Sequence, residues 1–147
     1  MKKVIKNSVY DTETATRLGY YDNGFPSDDH EYFEEALYRT KSGKYFLYGK
    51  GGWASPYSTH RGLNVVGSEK IEPLTYDEAT EWAQERLDGD EYVNLFGDPE
   101  DDTVTQTAFY LSASARNALE KIRAQTGETL SAIVEQLIIE NSKNGGK

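Results

Sequence analysis

The aromatic residues of this chain stop where its acidity stops. Of the 18 Trp, Tyr and Phe residues in 147, 16 lie before residue 103. Residues 1–102 hold 11 Lys+Arg against 21 Asp+Glu, a net of −10, whereas residues 103–147 hold 5 against 4, a net of +1. The step falls just after Gly97-Asp98-Pro99-Glu100-Asp101-Asp102, a charged Gly/Pro segment of linker composition. A single core does not divide its aromatic supply in this way. The sequence therefore predicts an acidic aromatic-rich domain over residues 1–97, a linker over 98–102, an aliphatic domain over 103–142 and a disordered tail over 143–147.

Several classes are excluded at this level. No apolar run approaches the ~18–20 residues needed to span a bilayer. The absence of Cys removes disulfide frameworks and thiolate metal centres. Met1 to Asp11 begins basic but carries no apolar core of a secretory signal, so a cytoplasmic protein is expected. The overall charge of −9 argues against a phosphate-binding surface, although only the first 102 residues carry it.

The first domain reads as α+β. A strand is expected over Lys3–Tyr10, and a Gly/Asp/Pro loop over Tyr21–Asp29. Ala36–Arg39 and Tyr45–Tyr48 flank Lys41-Ser42-Gly43 as the arms of a hairpin. A Gly/Ser-rich loop is expected from Gly49 to Ser68. Thr75 and Glu78 form a capping box that opens a helix with Ala79, Trp82 and Ala83 on one face, ended by Gly89. A short helix over Asp90–Phe96 then docks through Tyr92, Leu95 and Phe96.

In the second domain, Thr103–Leu111 is rich in Thr and aromatic residues and predicts a strand. Ser112 or Ser114 can cap a helix carrying Ala115, Ala118, Leu119 and Ile122, and Gly127 can end it in a left-handed conformation. Thr129 can cap a second helix whose stripe is Leu130, Ile133, Val134, Leu137 and Ile138. About 40 residues cannot bury two such stripes alone, so a two-fold dimer is expected. The ordered strand, helix, Gly and helix over residues 103–142 resemble the ribbon-helix-helix fold of the CopG and Arc repressors. That resemblance implies an α+β chain with a C-terminal ribbon-helix-helix domain. It implies operator DNA as a partner, with Gln106, Ala108 and Tyr110 reading bases and the helix start at Thr129 meeting phosphate. No Arg or Lys lies in the expected ribbon, and Glu128 faces the phosphate position, so a dimerisation clamp without DNA affinity stays open beside it.

Catalytic chemistry is poorly supplied. Only His30 and His60 titrate near neutrality without a large shift. Asp28-Asp29-His30-Glu31 reads as a solvated loop, since adjacent ligands rarely complete a coordination sphere. Glu34 and Glu35 are neighbours on opposite faces of a strand and cannot act as a pair. Gly49-Lys50-Gly51-Gly52 lacks phosphate-loop spacing, and Asp98-Glu100-Asp101-Asp102 matches a calcium loop in composition alone. No catalytic residue, metal or cofactor is expected.

Two features point to binding. Asp88, Asp90, Glu91, Asp98, Glu100, Asp101 and Asp102 can imitate phosphates in a basic channel of another protein, or simply solubilise the chain. Trp53 and Tyr57, in the expected loop, are candidate interface anchors. The segments Tyr10–Ala15, Glu35–Arg39, Gly43–Gly49, Gly51-Gly52, Glu69–Ile71 and Thr75–Gly97 resemble small proteins of phages and mobile elements, among them anti-CRISPR proteins. The resemblance implies a non-enzymatic homodimeric inhibitor of a basic, nucleic-acid-handling host defence protein such as a CRISPR nuclease. The alternative is a DNA-binding repressor or antitoxin.

Overall fold

Lys6 and Asn7 both adopt positive φ, 48° and 64°. A two-residue hairpin turn of matching twist requires this of both central residues. The run expected as one strand over Lys3–Tyr10 is therefore folded back on itself as β1 (Lys2–Ile5) and β2 (Ser8–Asp11). The computed structural model describes residues 1–101 and 107–144. By contacts the chain forms two compact units, Met1–Asp102 and Thr103–Lys147.

The first unit continues with β3 (Thr16–Asp22), β4 (Phe33–Arg39), β5 (Tyr45–Gly51), β6 (Ser58–Arg61) and β7 (Asn64–Leu74). They make one antiparallel sheet in the order β3-β4-β5-β7-β6. The β4–β5 hairpin closes as expected: Gly43 takes φ 91°, and the Lys44 amide donates to Thr40 Oγ1 at 3.0 Å. The loop expected from Gly49 to Ser68 is mostly strand. Gly62 sits in the β6–β7 turn at φ 66°, but Gly49, Gly51, Gly52 and Gly67 are there because neighbours fill the space of a side chain. A Cβ on Gly49 would lie 1.9 Å from the Tyr57 ring, and one on Gly67 would lie 2.4 Å from the Gly51 carbonyl oxygen. Glycine usually marks loops, but here it marks close approach inside a sheet.

Each face of the sheet has its own cover. Leu37 and Leu47 pack against Ala79, Trp82 and Ala83 of α1 (Tyr76–Arg86), with Tyr92 and Phe96 of α2 (Gly89–Phe96) alongside. On the opposite face, Phe46 and Ile71 pack with Tyr10, supported by Ile5 and Ala15. Phe46, Leu37 and Ile71 are fully buried, each stabilising the fold by about 1.5–3 kcal/mol through apolar burial. The Thr75 capping box is present in both directions. Gly89 does not end α1. The helix stops at Arg86 because Asp88 accepts from the Glu91 amide at 2.9 Å and starts α2.

The second unit holds α3 (Ala113–Thr126) and α4 (Leu130–Asn144). Ser112 caps α3, Gly127 ends it at φ 72°, and Thr129 Oγ1 accepts from the Ala132 amide. The described residues do not fit the expected ribbon-helix-helix architecture. Gln106 lies outside the described residues, and 107–111, including Ala108 and Tyr110, carry no strand. β-Propensity becomes a strand only where another strand takes up its backbone groups. Among the described residues the paired strands all belong to the first unit. The protein is α+β, with a five-stranded and a two-stranded antiparallel sheet and four helices among the described residues.

Candidate functional site

The strand register places Asp22, Glu34, Lys50 and Glu69 side by side across β3, β4, β5 and β7. Alternation puts this row on the same face as Phe46, four residues before Lys50 in β5, where the apolar packing lies. The row itself is polar, and tyrosines fix its carboxylates. Glu34 Oε2 accepts from the Tyr32 hydroxyl at 2.5 Å and from the Tyr20 hydroxyl at 3.0 Å, and Glu34 Oε1 lies 3.4 Å from Lys50 Nζ. Tyr48 donates to Glu69 Oε2 at 2.7 Å. Burial alone would push the Glu34 carboxyl up, but the two hydroxyls and the Lys50 ammonium outweigh it and hold the group below its usual range. The Tyr32 hydroxyl is pushed up, chiefly because it donates to Glu34. Desolvation, then Glu69, pushes Tyr48 up.

Glu34, Lys50 and Glu69 of this row form one wall of an open groove of about 540 Å³, and Asp22 lies outside it. The opposite wall is the turn Ser27–His30, and the floor includes Gly51, Gly52 and Gly67. Backbone approach shapes that floor. The Gly52 amide donates to the Tyr32 carbonyl and the Ala54 amide to the His30 carbonyl, each at 2.9 Å, and a Cβ on Gly52 would lie 2.4 Å from the latter oxygen. Trp53 stands at the groove, 55 % exposed, with the His30 ring stacked on it at 4.8 Å and 16°. A depression of about 360 Å³ on the second unit is lined by α4 alone.

Asp29, His30 and Glu31 place one ligand atom each within 4.8 Å of one another. They are consecutive residues of an exposed turn, and Asp29 Oδ1 already accepts from the Glu31 amide at 2.8 Å. Glu34 and Glu35 lie on opposite faces of β4. Glu35 is buried, accepting from Trp82 Nε1 at 2.7 Å and from the Tyr57 hydroxyl at 2.8 Å, with Arg86 Nε at 3.5 Å. Arg86 also stacks over Tyr21 at 4.2 Å.

Of the residues singled out in the sequence for protein binding, Trp53 lines the groove. Tyr57 is half-buried over Gly49, its hydroxyl turned inward to Glu35. Asp88 caps α2, and Asp90 and Glu91 are exposed in its first turn. Asp98 accepts from the Glu100 amide at 2.9 Å, and the Asp101 amide donates to the Asp98 carbonyl; Asp102 lies outside the described residues. The structure does not bring these acids to the groove. Of the residues that do line it, Asp28, Asp29, His30, Glu34 and Lys50 were weighed in the sequence only for metal, catalytic or phosphate chemistry, and Tyr32 and Glu69 for none. The signal was the alternation Phe46, Tyr48, Lys50, which runs on through a segment that its glycines disguise as loop.

Among the described residues no helix is long and apolar enough to cross a membrane. Comparison with protein-family models, curated proteins and solved structures finds no match.

Proposed function

We propose that this chain is a non-enzymatic, homodimeric inhibitor whose acidic first unit engages a basic, nucleic-acid-handling protein such as a CRISPR-type defence nuclease. The observation that carries the reading is the groove: an exposed tryptophan beside carboxylates already oriented by tyrosine hydroxyls. A net charge of −10 over residues 1–102 steers such a surface toward a basic partner and away from nucleic acid. The sequence resemblance to anti-CRISPR proteins points to the same class.

The second unit supplies the dimer. Ile133 is its one buried side chain among the described residues. Leu130, Leu137 and Ile138 extend the same helical stripe in the open, and Phe109 and Leu111 are exposed as well. A second copy of the same stripe is the partner that removes such apolar surface from water by symmetry. A net charge of +1 over residues 103–147 leaves little repulsion between two copies. Two copies carry two acidic surfaces, which raises avidity for a target with two accessible sites.

The reading is tested by adding the full chain to purified CRISPR effector nucleases and measuring target cleavage and nucleic-acid loading. Inhibition of an effector that weakens as salt rises is the expected result. Absence of inhibition across the panel, with the chain itself retarding duplex DNA, overturns it.

A further inference from the structure

We infer that the groove beside Trp53 is a guanidinium-binding site, built to take an arginine side chain from an extended basic segment of the partner. The inference rests on the reading of the first unit as a binder of a basic protein, and names the chemistry of that contact. Three observations carry it. The groove is open and measures about 540 Å³, within the usual size of a ligand site and accessible to a side chain presented from a backbone outside. Trp53 stands at its edge 55 % exposed, with the His30 ring on one side of its indole, so the part of the indole that His30 leaves open is what an incoming plane meets. Carboxylates with unspent acceptors line it: Glu69 uses Oε2 for Tyr48, and Asp28 makes no hydrogen bond or ion pair among the described residues.

Guanidinium is the group that uses all three together. It is planar, so it stacks on an indole, and its fork of donors meets carboxylate oxygens in pairs. An ammonium offers a point charge with no plane to stack. A divalent cation makes no use of the indole, and the nearest metal-like trio, Asp29, His30 and Glu31, spends Asp29 on its own turn. Lys50 itself is held on Glu34, which leaves Glu69 and Asp28 to receive the incoming charge. The wall is fixed before binding, because Tyr48 orients Glu69 while Tyr20 and Tyr32 orient Glu34. Little side-chain ordering remains to oppose association.

The test titrates the full-length protein with hexa-arginine and hexa-lysine peptides at low salt, following calorimetry and tryptophan emission. Trp82 is buried, so a change in emission on binding reports Trp53. The expected result is tighter binding of hexa-arginine by about 5-fold or more, the size of one stacking contact of about 1 kcal/mol. Trp53→Ala and Glu69→Gln should each weaken hexa-arginine to a similar degree and narrow the gap to hexa-lysine. Both residues are exposed, so these variants should keep the circular dichroism of the parent; Asp28→Asn is the further variant should either lose it. Equal affinity for the two peptides overturns the guanidinium assignment. Hexa-arginine binding that ignores all three substitutions places the contact elsewhere on the acidic unit, sinking this inference while sparing the wider reading. No binding of either peptide by the parent protein removes both.

Discussion

Trp82 Nε1 donates a 2.7 Å hydrogen bond to Glu35, joining the middle of α1 to the centre of β4 in the interior of the first unit. Glu35 also accepts from Tyr57 and lies against Arg86, so a buried carboxylate is satisfied from a helix, a loop and a cation at once. Burying a charge is costly unless it is paired and hydrogen-bonded, and removing one partner exposes that cost.

Trp82→Phe keeps most of the ring but deletes the donor. The expected loss is about 1.5–3 kcal/mol, the range for a hydrogen bond to a charged group. Urea denaturation followed by circular dichroism measures it. A change below ~0.5 kcal/mol contradicts this account of Glu35.

Gly49 and Tyr57 form a second pair of interdependent positions. Gly49→Ala puts a methyl group into the Tyr57 ring and should cost about 1–3 kcal/mol by overpacking. Tyr57→Ala should also destabilise. The double variant should be less destabilised than the sum of the two, because the ring that the methyl meets is gone.

Raised tyrosine pKa values give an alkaline limb to stability. Tyr20, Tyr32, Tyr48, Tyr57 and Tyr76 all lie above the usual value of 10.0. The unfolded chain releases these protons first, so the stabilisation is complete below about pH 10 and falls as pH rises beyond it. Absorbance at 295 nm should show part of the eleven tyrosines ionising only as the fold is lost.

Glu34 acts at the acid end. Its folded pKa lies below the ordinary 4.5, so its contribution is present above about pH 4.5 and is lost as pH falls through the folded value. Tyr32→Phe removes one of the two hydroxyls opposing burial, and the Glu34 pKa should rise. Carbon-detected NMR titration of the Glu34 carboxyl reads the shift directly; an unchanged or lower value rules out this balance.

For the second unit, Ile138→Glu places a charge on the exposed stripe. Sedimentation should show the parent chain as a dimer and the variant as a monomer at the same micromolar concentration, with the helical signal of the first unit retained. A parent chain that sediments as a monomer refutes the dimer.

Features written locally were legible in the sequence. Thr75, Ser112, Gly127 and Thr129 cap or end helices through groups three or four residues away, and the β4–β5 hairpin closes over five residues. The rest depended on distant partners. Gly49, Gly51 and Gly67 read as loop because nothing nearby in sequence announces that Tyr57, Ser55 and the Gly51 carbonyl occupy the space beside them. The reverse holds at 107–111, where strand propensity has no strand to pair with among the described residues. The groove was hidden for a similar reason, since its polar row draws Glu34, Lys50 and Glu69 from three different strands. Only Trp53 could be picked out, as an aromatic residue among glycines.

Glu34 and Glu35 are adjacent in sequence yet separated by the thickness of the sheet, one at the groove and one in the interior. A substitution at Glu34 therefore leaves the Glu35 cluster untouched, and a lesion at Glu35 cannot be repaired from the groove. One dipeptide thus serves two independent ends: the outer acid can be exchanged to retune the charge of the groove, while its neighbour answers to the stability of the fold alone.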